Sequence, residues 1–169
     1  MIKYGKYKSS GIEWIGDIPQ HWDVKRIKDI FNLGRGKFSH RPRNDERMYE
    51  NGTFPFIQTG DVAKASKYIT TYKQVLNENG IKVSKKFKKG TLLMTIAANI
   101  GDVAILDYDS YLPDSLVAFF SKHNIDFYYY LLSVTKSELD TVKVTNTQDN
   151  LNLERLNSLF KVCPPLSEQ

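Results

Sequence analysis

Cysteine and histidine are scarce in this sequence. Its 169 residues include one cysteine, Cys163, and three dispersed histidines, His21, His40 and His123. A single cysteine cannot close an internal disulfide, and these positions do not form a zinc-binding pattern. The composition excludes a disulfide-stabilised fold and a cysteine-rich zinc site. We therefore predict a chain that binds no metal and works in a reducing compartment.

Long apolar runs are also absent. No stretch approaches the roughly 20 apolar residues that a membrane-spanning helix needs. Residues 1–10 are basic, but no apolar segment of a signal peptide follows them. We therefore predict a soluble protein of the cytoplasm without a membrane partner.

Motifs of common catalytic sites are missing. The chain has no Gly-x-Gly-x-x-Gly, no phosphate loop ending in Gly-Lys-Ser/Thr, no His-Glu-x-x-His and no Gly-x-Ser-x-Gly. Pro113-Asp114 matches the start of a nuclease motif, but no Asp/Glu-x-Lys follows it. Pro164-Pro165 lacks the flanking residues of an adenine methyltransferase motif. We predict a non-catalytic chain with no cofactor of its own.

Positive charge is concentrated in the first half of the chain. Residues 1–90 hold 19 Lys and Arg against 9 Asp and Glu, whereas residues 91–169 hold 5 against 10. This asymmetry favours a polyanion on one face, with the acidic half turned toward protein partners or solvent.

A chain of 169 residues with 41% hydrophobic content suits a single domain.

Residues 34–47 predict an exposed basic loop. Gly34, Gly36 and Pro42 interrupt regular structure, and five cations lie among them. These cations are Arg35, Lys37, Arg41, Arg43 and Arg47. Such a loop suits contact with DNA phosphates and bases, although a solvated loop beside an edge strand fits the same composition.

Two further segments extend this basic region. Residues 54–62 alternate apolar and polar side chains, which predicts a half-buried strand running into a turn at Gln58, Thr59 and Asp61. Residues 82–90 hold five lysines and no acid. This lysine-rich segment fits either a ridge that contacts phosphates or an edge strand that lysines protect from aggregation.

The remaining patterns predict an α+β fold. Residues 1–22 read as an irregular arm with bulky anchors, residues 23–32 as a helix capped by Asp23, and residues 124 to about 142 as a helix capped by Asn124. Strands are predicted at 68–72, 91–98, 103–106 and 116–120. A short helix is predicted at 151–160, and a helix start capped by Ser167 after the two prolines.

These elements predict one domain with a twisted, mixed β-sheet and short flanking helices. We place this domain at residues 1–162, with the arm at 1–22. Residues 163–169 then begin a linker into a longer helix beyond residue 169.

Six blocks of sequence resemble, in order, the first half of the specificity subunit of type I restriction-modification enzymes. The resemblance extends over essentially the whole chain. The blocks are Gly11-Ile-Glu-Trp-Ile-Gly-Asp-Ile-Pro-Gln-His-Trp22, Arg35-Gly-Lys-Phe-Ser-His-Arg-Pro-Arg-Asn44, Pro55-Phe-Ile-Gln-Thr-Gly-Asp-Val62, Gly90-Thr-Leu-Leu, Ala97-Ala-Asn-Ile-Gly-Asp102 and Pro164-Pro-Leu-Ser-Glu-Gln169.

The resemblance implies an N-terminal target recognition domain with the fold of DNA methylase specificity domains. In this family two such domains, joined by long conserved helices, each read one half of a split double-stranded DNA target. Methyltransferase subunits then methylate adenine with S-adenosylmethionine, and restriction subunits add ATP-dependent translocation and Mg-dependent cleavage. The implied cofactors belong to those partner subunits. The half-site sequence and the methylated adenine stay open.

The candidate DNA contacts fall into groups with different roles. Four loop cations are expected to enter a groove or follow the backbone: Arg35, Lys37, Arg41 and Arg43. Three neighbours are expected to read bases beside them: Ser39, His40 and Asn44. Four lysines are expected to contact phosphates without reading sequence: Lys85, Lys86, Lys88 and Lys89.

Four further positions complete the candidate set. Gln58 suits adenine, whereas Asp61 suits either a cytosine amine or the orientation of an arginine. Thr59 lies between them, and Asn99 is a turn residue near the end of a predicted strand. The alternative function is a non-catalytic interaction module whose basic face binds an acidic protein.

Overall fold

A computed structural model describes residues 4–136, 139 and 152–169. Its strands are β1 (Tyr7–Ser9), β2 (Asp17–Pro19), β3 (Asp23–Arg26), β4 (Asn32–Arg35), β5 (Phe54–Pro55), β6 (Tyr68–Ile69), β7 (Val75–Leu76), β8 (Lys85–Phe87), β9 (Leu92–Thr95), β10 (Val103–Leu106), β11 (Ser110–Leu112), β12 (Leu116–Phe120) and β13 (Phe160–Cys163). Its helices are α1 (Ile27–Ile30), α2 (Thr59–Lys64), α3 (Glu78–Lys82), α4 (Ile125–Ser133) and α5 (Leu153–Ser158), with 3-10 turns at Glu46–Met48 and Leu166–Glu168.

A five-stranded sheet forms the centre of the fold. Its strand order is β4-β12-β9-β10-β6, and only the pair of β10 and β6 is parallel among the described strands. β9 lies in the middle, and all four of its residues are buried. A continuous apolar run on a central strand is expected where both faces of a sheet are covered. The mixed sheet and its short helices confirm the predicted α+β class.

The two faces of the sheet bury separate apolar clusters. Met94 belongs to the cluster under α1, α4 and α5, together with Phe119 and Tyr128. Its neighbour Leu93 belongs to the opposite cluster, which α2, β8 and β11 cover. Successive side chains of a strand point to opposite faces, so β9 contributes to both cores.

A third, smaller apolar cluster lies beneath the basic loop. Phe38, Met48, Phe56 and Leu76 are buried together. The rings of Phe38 and Phe56 lie 5.1 Å apart between centroids. This cluster gives the loop a core of its own and holds it against β5, β7 and α3.

The first and last described segments meet. β3 pairs with β13, with Val24 opposite Val162. Tyr4 Oη and Trp22 Nε1 each donate a hydrogen bond to Glu168 Oε2 at 2.9 Å. These contacts fasten the arm to the 3-10 turn Leu166–Glu168.

The buried strands were predicted correctly, but the segments before them were not. Residues 23–32 form β3 and the short α1, whose N-cap is Arg26, instead of a helix capped by Asp23. The reason is the pairing of β3 with a distant strand, which no local pattern reveals. In the arm, β1 and β2 form a hairpin, and Ile18 is buried whereas Trp14 is 44% exposed.

Several other boundaries differ from the predictions. The predicted strand at 54–62 is β5 followed by α2, and the strand at 68–72 is limited to Tyr68–Ile69. The cap at Asn124 is confirmed, since its Oδ1 accepts from Asp126 N and Phe127 N. The final turn follows Pro165, so Ser167 is not its cap.

Part of the predicted C-terminal structure lies outside the described residues. This applies to residues 137, 138 and 140–142 of the predicted helix and to the connector at 145–150. Within the described residues, no helix is long and apolar enough to span a membrane.

Candidate nucleic-acid interface

The basic loop is fixed at its start by backbone contacts with two other segments. Lys37 N–H donates to Leu112 O at 2.8 Å, and Ser39 N–H donates to Val83 O at 3.0 Å. An isolated bridge pairs Phe38 with Ser84, directly before Lys85. The bridge brings the basic loop and the lysine-rich strand β8 side by side.

Gly36 is required where the loop leaves β4. A Cβ added at this position would lie 2.0 Å from Pro113 O and 2.8 Å from Leu112 O. No larger residue fits without moving one of the two backbones. The close approach allows the hydrogen bond from Lys37 N–H to Leu112 O.

Arginines of the loop contact the turn that precedes β12. Arg35 Nε donates to Asp114 O at 2.7 Å. Arg43 Nη2 donates to both carboxylate oxygens of Asp114 at 2.5 and 2.7 Å. The guanidinium groups remain exposed, so these contacts orient the arginines without covering them.

Asp45 organises the middle of the loop. Its carboxylate accepts from Arg47 Nη2 at 2.6 Å and contacts His40 Nε2 at 2.7 Å. Hydrogen bonds from Arg47 and then from His40 hold the pKa of Asp45 well below its usual range. Arg41 donates to the backbone oxygens of Phe38 and His40, so it shapes the loop from within.

The surface of the loop still presents several polar side chains. Lys37, Ser39 and Asn44 are exposed. Lys37 forms no ion pair with another described residue. Lys85, beside it across the bridge, lies with its Nζ 5.2 Å from the centroid of Phe87 and is also exposed. Lys37 and Lys85 are therefore available for an anionic ligand.

Carboxylates from the acidic half of the chain lie among the other lysines. Asp109 Oδ2 accepts from Lys88 Nζ at 2.9 Å and lies 3.2 Å from Lys86 Nζ. Asp107 Oδ1 lies 2.8 Å from Lys89 Nζ. Hydrogen bonds from Lys88, from the Lys89 N–H and from Lys86 hold the pKa of Asp109 well below its usual range.

These ion pairs correct the expectation that the two charged halves face different ways. Asp107, Asp109 and Asp114 come from the acidic half, yet they contact candidate DNA-binding cations. Exposed pairs of this kind contribute about 0–1 kcal/mol each, because water screens them. The lysines can therefore exchange a carboxylate for a phosphate at a small free-energy difference.

Asn99 is separated from the lysine-rich segment. It lies in the turn between β9 and β10 with a φ of 46°, and Lys88 and Lys89 lie before the other end of β9. Its carbonyl oxygen accepts a hydrogen bond from Thr95 Oγ1 at 2.5 Å. Asn is tolerated in this left-handed conformation, which suits the turn; its contact with DNA stays a prediction.

Gln58, Thr59 and Asp61 lie at the start of α2 instead of at a strand end. Gln58 N–H donates to Asp61 Oδ2 at 2.9 Å, and Asp61 is only 8% exposed. Gln58 and Asp61 line a cleft of about 250 Å³ that also includes Lys64, Lys73 and Gln74.

Lys64, Lys73 and Gln74 were not among the predicted contacts. Lys64 is separated in the sequence from Lys73 and Gln74, and only the packing of α2 beside the segment after β6 brings the three residues to one cleft. Nearby, burial is the main factor that raises the pKa of Tyr108 to about 12, with added effects of Tyr72 and Asp61. The Tyr108 hydroxyl therefore stays protonated at neutral pH.

Comparisons with known proteins identify the family of this chain. The family model described as "Type I restriction modification DNA specificity domain" matches residues 19–169. The type I restriction enzyme MjaIX specificity subunit of Methanocaldococcus jannaschii is 38% identical over 94 residues, which is 54% of this chain and 21% of that subunit.

Solved structures share the fold at lower identity. The HsdS subunit from Thermoanaerobacter tengcongensis has a TM-score of 0.64 at 19% identity, over 96% of this chain and 37% of that one. A chain from a structure on complex assembly and conformational transition of the type I R-M system has a TM-score of 0.70 at 18% identity, over 96% and 38%. The chain thus spans about a fifth to two fifths of the relatives it matches. With its family model matched from residue 19 to residue 169, this chain belongs to the type I restriction modification DNA specificity domain family.

Proposed function

We propose that this domain reads one half of a split double-stranded DNA target on behalf of methyltransferase and restriction subunits. The observation that carries the proposal is the family match over residues 19–169. The proposed role is recognition only. Adenine methylation with S-adenosylmethionine, and translocation or cleavage with ATP and Mg, belong to partner subunits.

The geometry of the basic loop supports this role. Arg35 and Arg43 are exposed and oriented by Asp114, whereas Lys37 is exposed without an ion-pair partner among the described residues. An oriented guanidinium loses less conformational entropy on binding than a free one. A half-site of a few base pairs needs only a few such contacts, each worth roughly 1–3 kcal/mol of discrimination.

The lysines of β8 extend the surface. The bridge of Phe38 with Ser84 joins the loop to Lys85, and Lys86 and Lys88 follow along the same strand segment. Phosphate contacts from this line would fix the position of the duplex without reading its sequence. A duplex held in this way gives a neighbouring methyltransferase the fixed substrate it needs to extrude an adenine.

Selection from a random double-stranded DNA library tests the proposal. The protein is incubated with the library at physiological salt, and bound sequences are counted after competition with nonspecific DNA. We expect a short preferred sequence. Binding without any base preference at physiological salt would contradict the proposal and would favour the interaction module with an acidic partner.

A second experiment links recognition to modification. The full-length subunit is reconstituted with its methyltransferase partner, and methylated adenines are mapped on genomic DNA. Arg35→Ala and Lys37→Ala should lower methylation at the preferred sites at least tenfold. Lys122→Ala, an exposed lysine away from the loop, is the matched control and should leave the map unchanged. If all three variants give the same methylation map as the wild type, Arg35 and Lys37 do not contact the DNA and the contact surface lies elsewhere.

A further inference from the structure

We infer that Gln58 and Asp61 together read one adenine in the major groove, with Lys64 and Lys73 holding the flanking phosphates. This inference rests on the proposed function and deepens it. It assigns a second recognition element, separate from the basic loop, at the cleft beside α2. The residues come from two segments that only the tertiary structure brings together.

An unpartnered donor is the first observation. Gln58 lines the cleft, and its Nε2 is buried without a hydrogen-bond partner among the described residues. A buried amide group without a hydrogen-bond partner destabilises a fold. Such a group is retained at a functional site when a ligand supplies the missing acceptor.

The second observation is the Asp61 carboxylate, of which one oxygen accepts a hydrogen bond. Asp61 Oδ2 accepts from Gln58 N–H, and within the described part of the chain no hydrogen bond reaches its other oxygen. Asp61 lines both this cleft and an adjoining one of about 310 Å³. The residues lining the cleft therefore supply one unpartnered donor, which a rotation of the Gln58 side chain must expose, and one free acceptor, three positions apart in the sequence.

This donor and acceptor pair matches one base better than the other three. Adenine presents the N7 acceptor for Gln58 and the N6 amino group for Asp61. Guanine would place its O6 acceptor against the carboxylate of Asp61. Cytosine would leave Gln58 without an acceptor, and thymine would leave Asp61 without a donor. The pair thus specifies adenine.

Two lysines frame the cleft. Lys64 and Lys73 line both parts of it, and neither forms an ion pair with another described residue. With Asp61 as the acidic residue between them, the lining carries a net positive charge. Cations on both sides of a base-reading pair are placed to bind the phosphates of the same strand.

Selection with variants provides the decisive experiment. Asp61→Asn keeps an oxygen that accepts from the Gln58 N–H, but it adds an amide N–H that can donate to guanine O6. We expect the preference for adenine over guanine to fall about five- to tenfold at one position of the selected sequence, with other positions unchanged. Gln58→Leu should lower the same preference at the same position, because it removes the donor to adenine N7.

A modified base distinguishes a direct contact between Gln58 and adenine N7 from an indirect effect of the substitutions on binding. Replacing the selected adenine with 7-deazaadenine removes N7 and should weaken binding by the wild-type protein about fivefold. The same replacement should leave binding by Gln58→Leu unchanged. This comparison uses a folded wild-type protein, so it decides the question even if Asp61→Asn fails to fold.

Substitution of Lys64 and Lys73 should change the overall affinity and its salt dependence instead of the base preference. Lys64→Gln with Lys73→Gln should weaken binding equally for all sequences and reduce the slope of log K against log salt by about 2. Lys28→Gln with Lys122→Gln carries the same charge change and should leave the slope unchanged.

The possible failures are distinct. A wild-type protein that selects no sequence overturns the proposed function, and this inference with it. A wild-type protein that selects a sequence in which no position responds to Gln58→Leu, Asp61→Asn or 7-deazaadenine overturns the adenine-reading pair alone.

Discussion

Arg43 and Asp114 form a two-oxygen ion pair across 71 residues of sequence, with Arg43 Nη2 at 2.5 and 2.7 Å from the carboxylate oxygens. The same aspartate accepts from Arg35 Nε through its backbone oxygen. One turn therefore orients both Arg35, the first arginine of the basic loop, and Arg43, which follows eight residues later. The contact lies between the two oppositely charged halves of the chain.

Asp114→Ala tests whether this orientation matters. The pair is partly exposed, with 47% of the Arg43 side chain and 36% of the Asp114 side chain accessible. The free energy of unfolding should fall by less than about 1 kcal/mol. DNA affinity should fall several-fold, because Arg43 loses its fixed position. An increase in affinity in a direct binding titration would show instead that Asp114 repels DNA.

Gly36→Ala tests the close approach at the base of the loop. A methyl group at this position would meet Pro113 O at 2.0 Å, so the loop or the turn must move. We expect a loss of about 3 kcal/mol or more in the free energy of unfolding, measured by urea denaturation. Gly5→Ala, where nothing lies within 4 Å of an added Cβ, should change stability little. Equal stability of the two variants would contradict the close approach of the two backbones.

Acid should weaken the loop through Asp45 and Asp109. Both have a pKa below the ordinary value of 3.8 because basic neighbours donate hydrogen bonds to them. A carboxyl whose pKa falls on folding stabilises the folded state when ionised. That contribution is complete above the unfolded-state value and is lost as pH falls through the lower folded-state value.

Thermal melts below about pH 4 measure this contribution. The variant Asp45→Asn with Asp109→Asn should begin less stable than the wild type and lose less stability on acidification. Asp17→Asn, at the exposed start of β2, should follow the wild-type curve. Parallel curves for wild type and double variant would show that the two carboxyls make no such contribution.

The lysine-rich segment should determine part of the salt dependence of DNA binding. Changing Lys85, Lys86, Lys88 and Lys89 to Gln should reduce the slope of log K against log salt by about 3–4, since each of the four phosphate contacts contributes about 0.9. A control set with the same charge change is Lys6, Lys8, Lys28 and Lys122, all exposed. If the two sets change the slope equally, the segment contributes only net charge.

The sequence was most informative where a pattern was local and long enough. Leu92 to Thr95 and Leu116 to Phe120 were predicted as strands because an apolar run that is too short for a typical helix fits a sheet buried on both faces. Asn124 caps α4 because an Asn side chain before an amphipathic run satisfies free N–H groups. Residues 23–26 were misassigned because β3 exists only through its pairing with β13.

By itself, the sequence determined the α+β class, the buried strands, the basic loop and the resemblance to a specificity subunit, because these depend on residue types and order along the chain. Only the tertiary structure decided which cations are already engaged and which remain available. Asp109 forms ion pairs with Lys86 and Lys88 because β8 pairs with β11. Asp114 forms an ion pair with Arg43 because the loop packs against the turn after β11. The cleft that Gln58 and Lys73 line also forms between segments that are distant in the sequence. The reason is that electrostatic and hydrogen-bonding interactions depend on the distance between groups in space and not on their separation in the sequence.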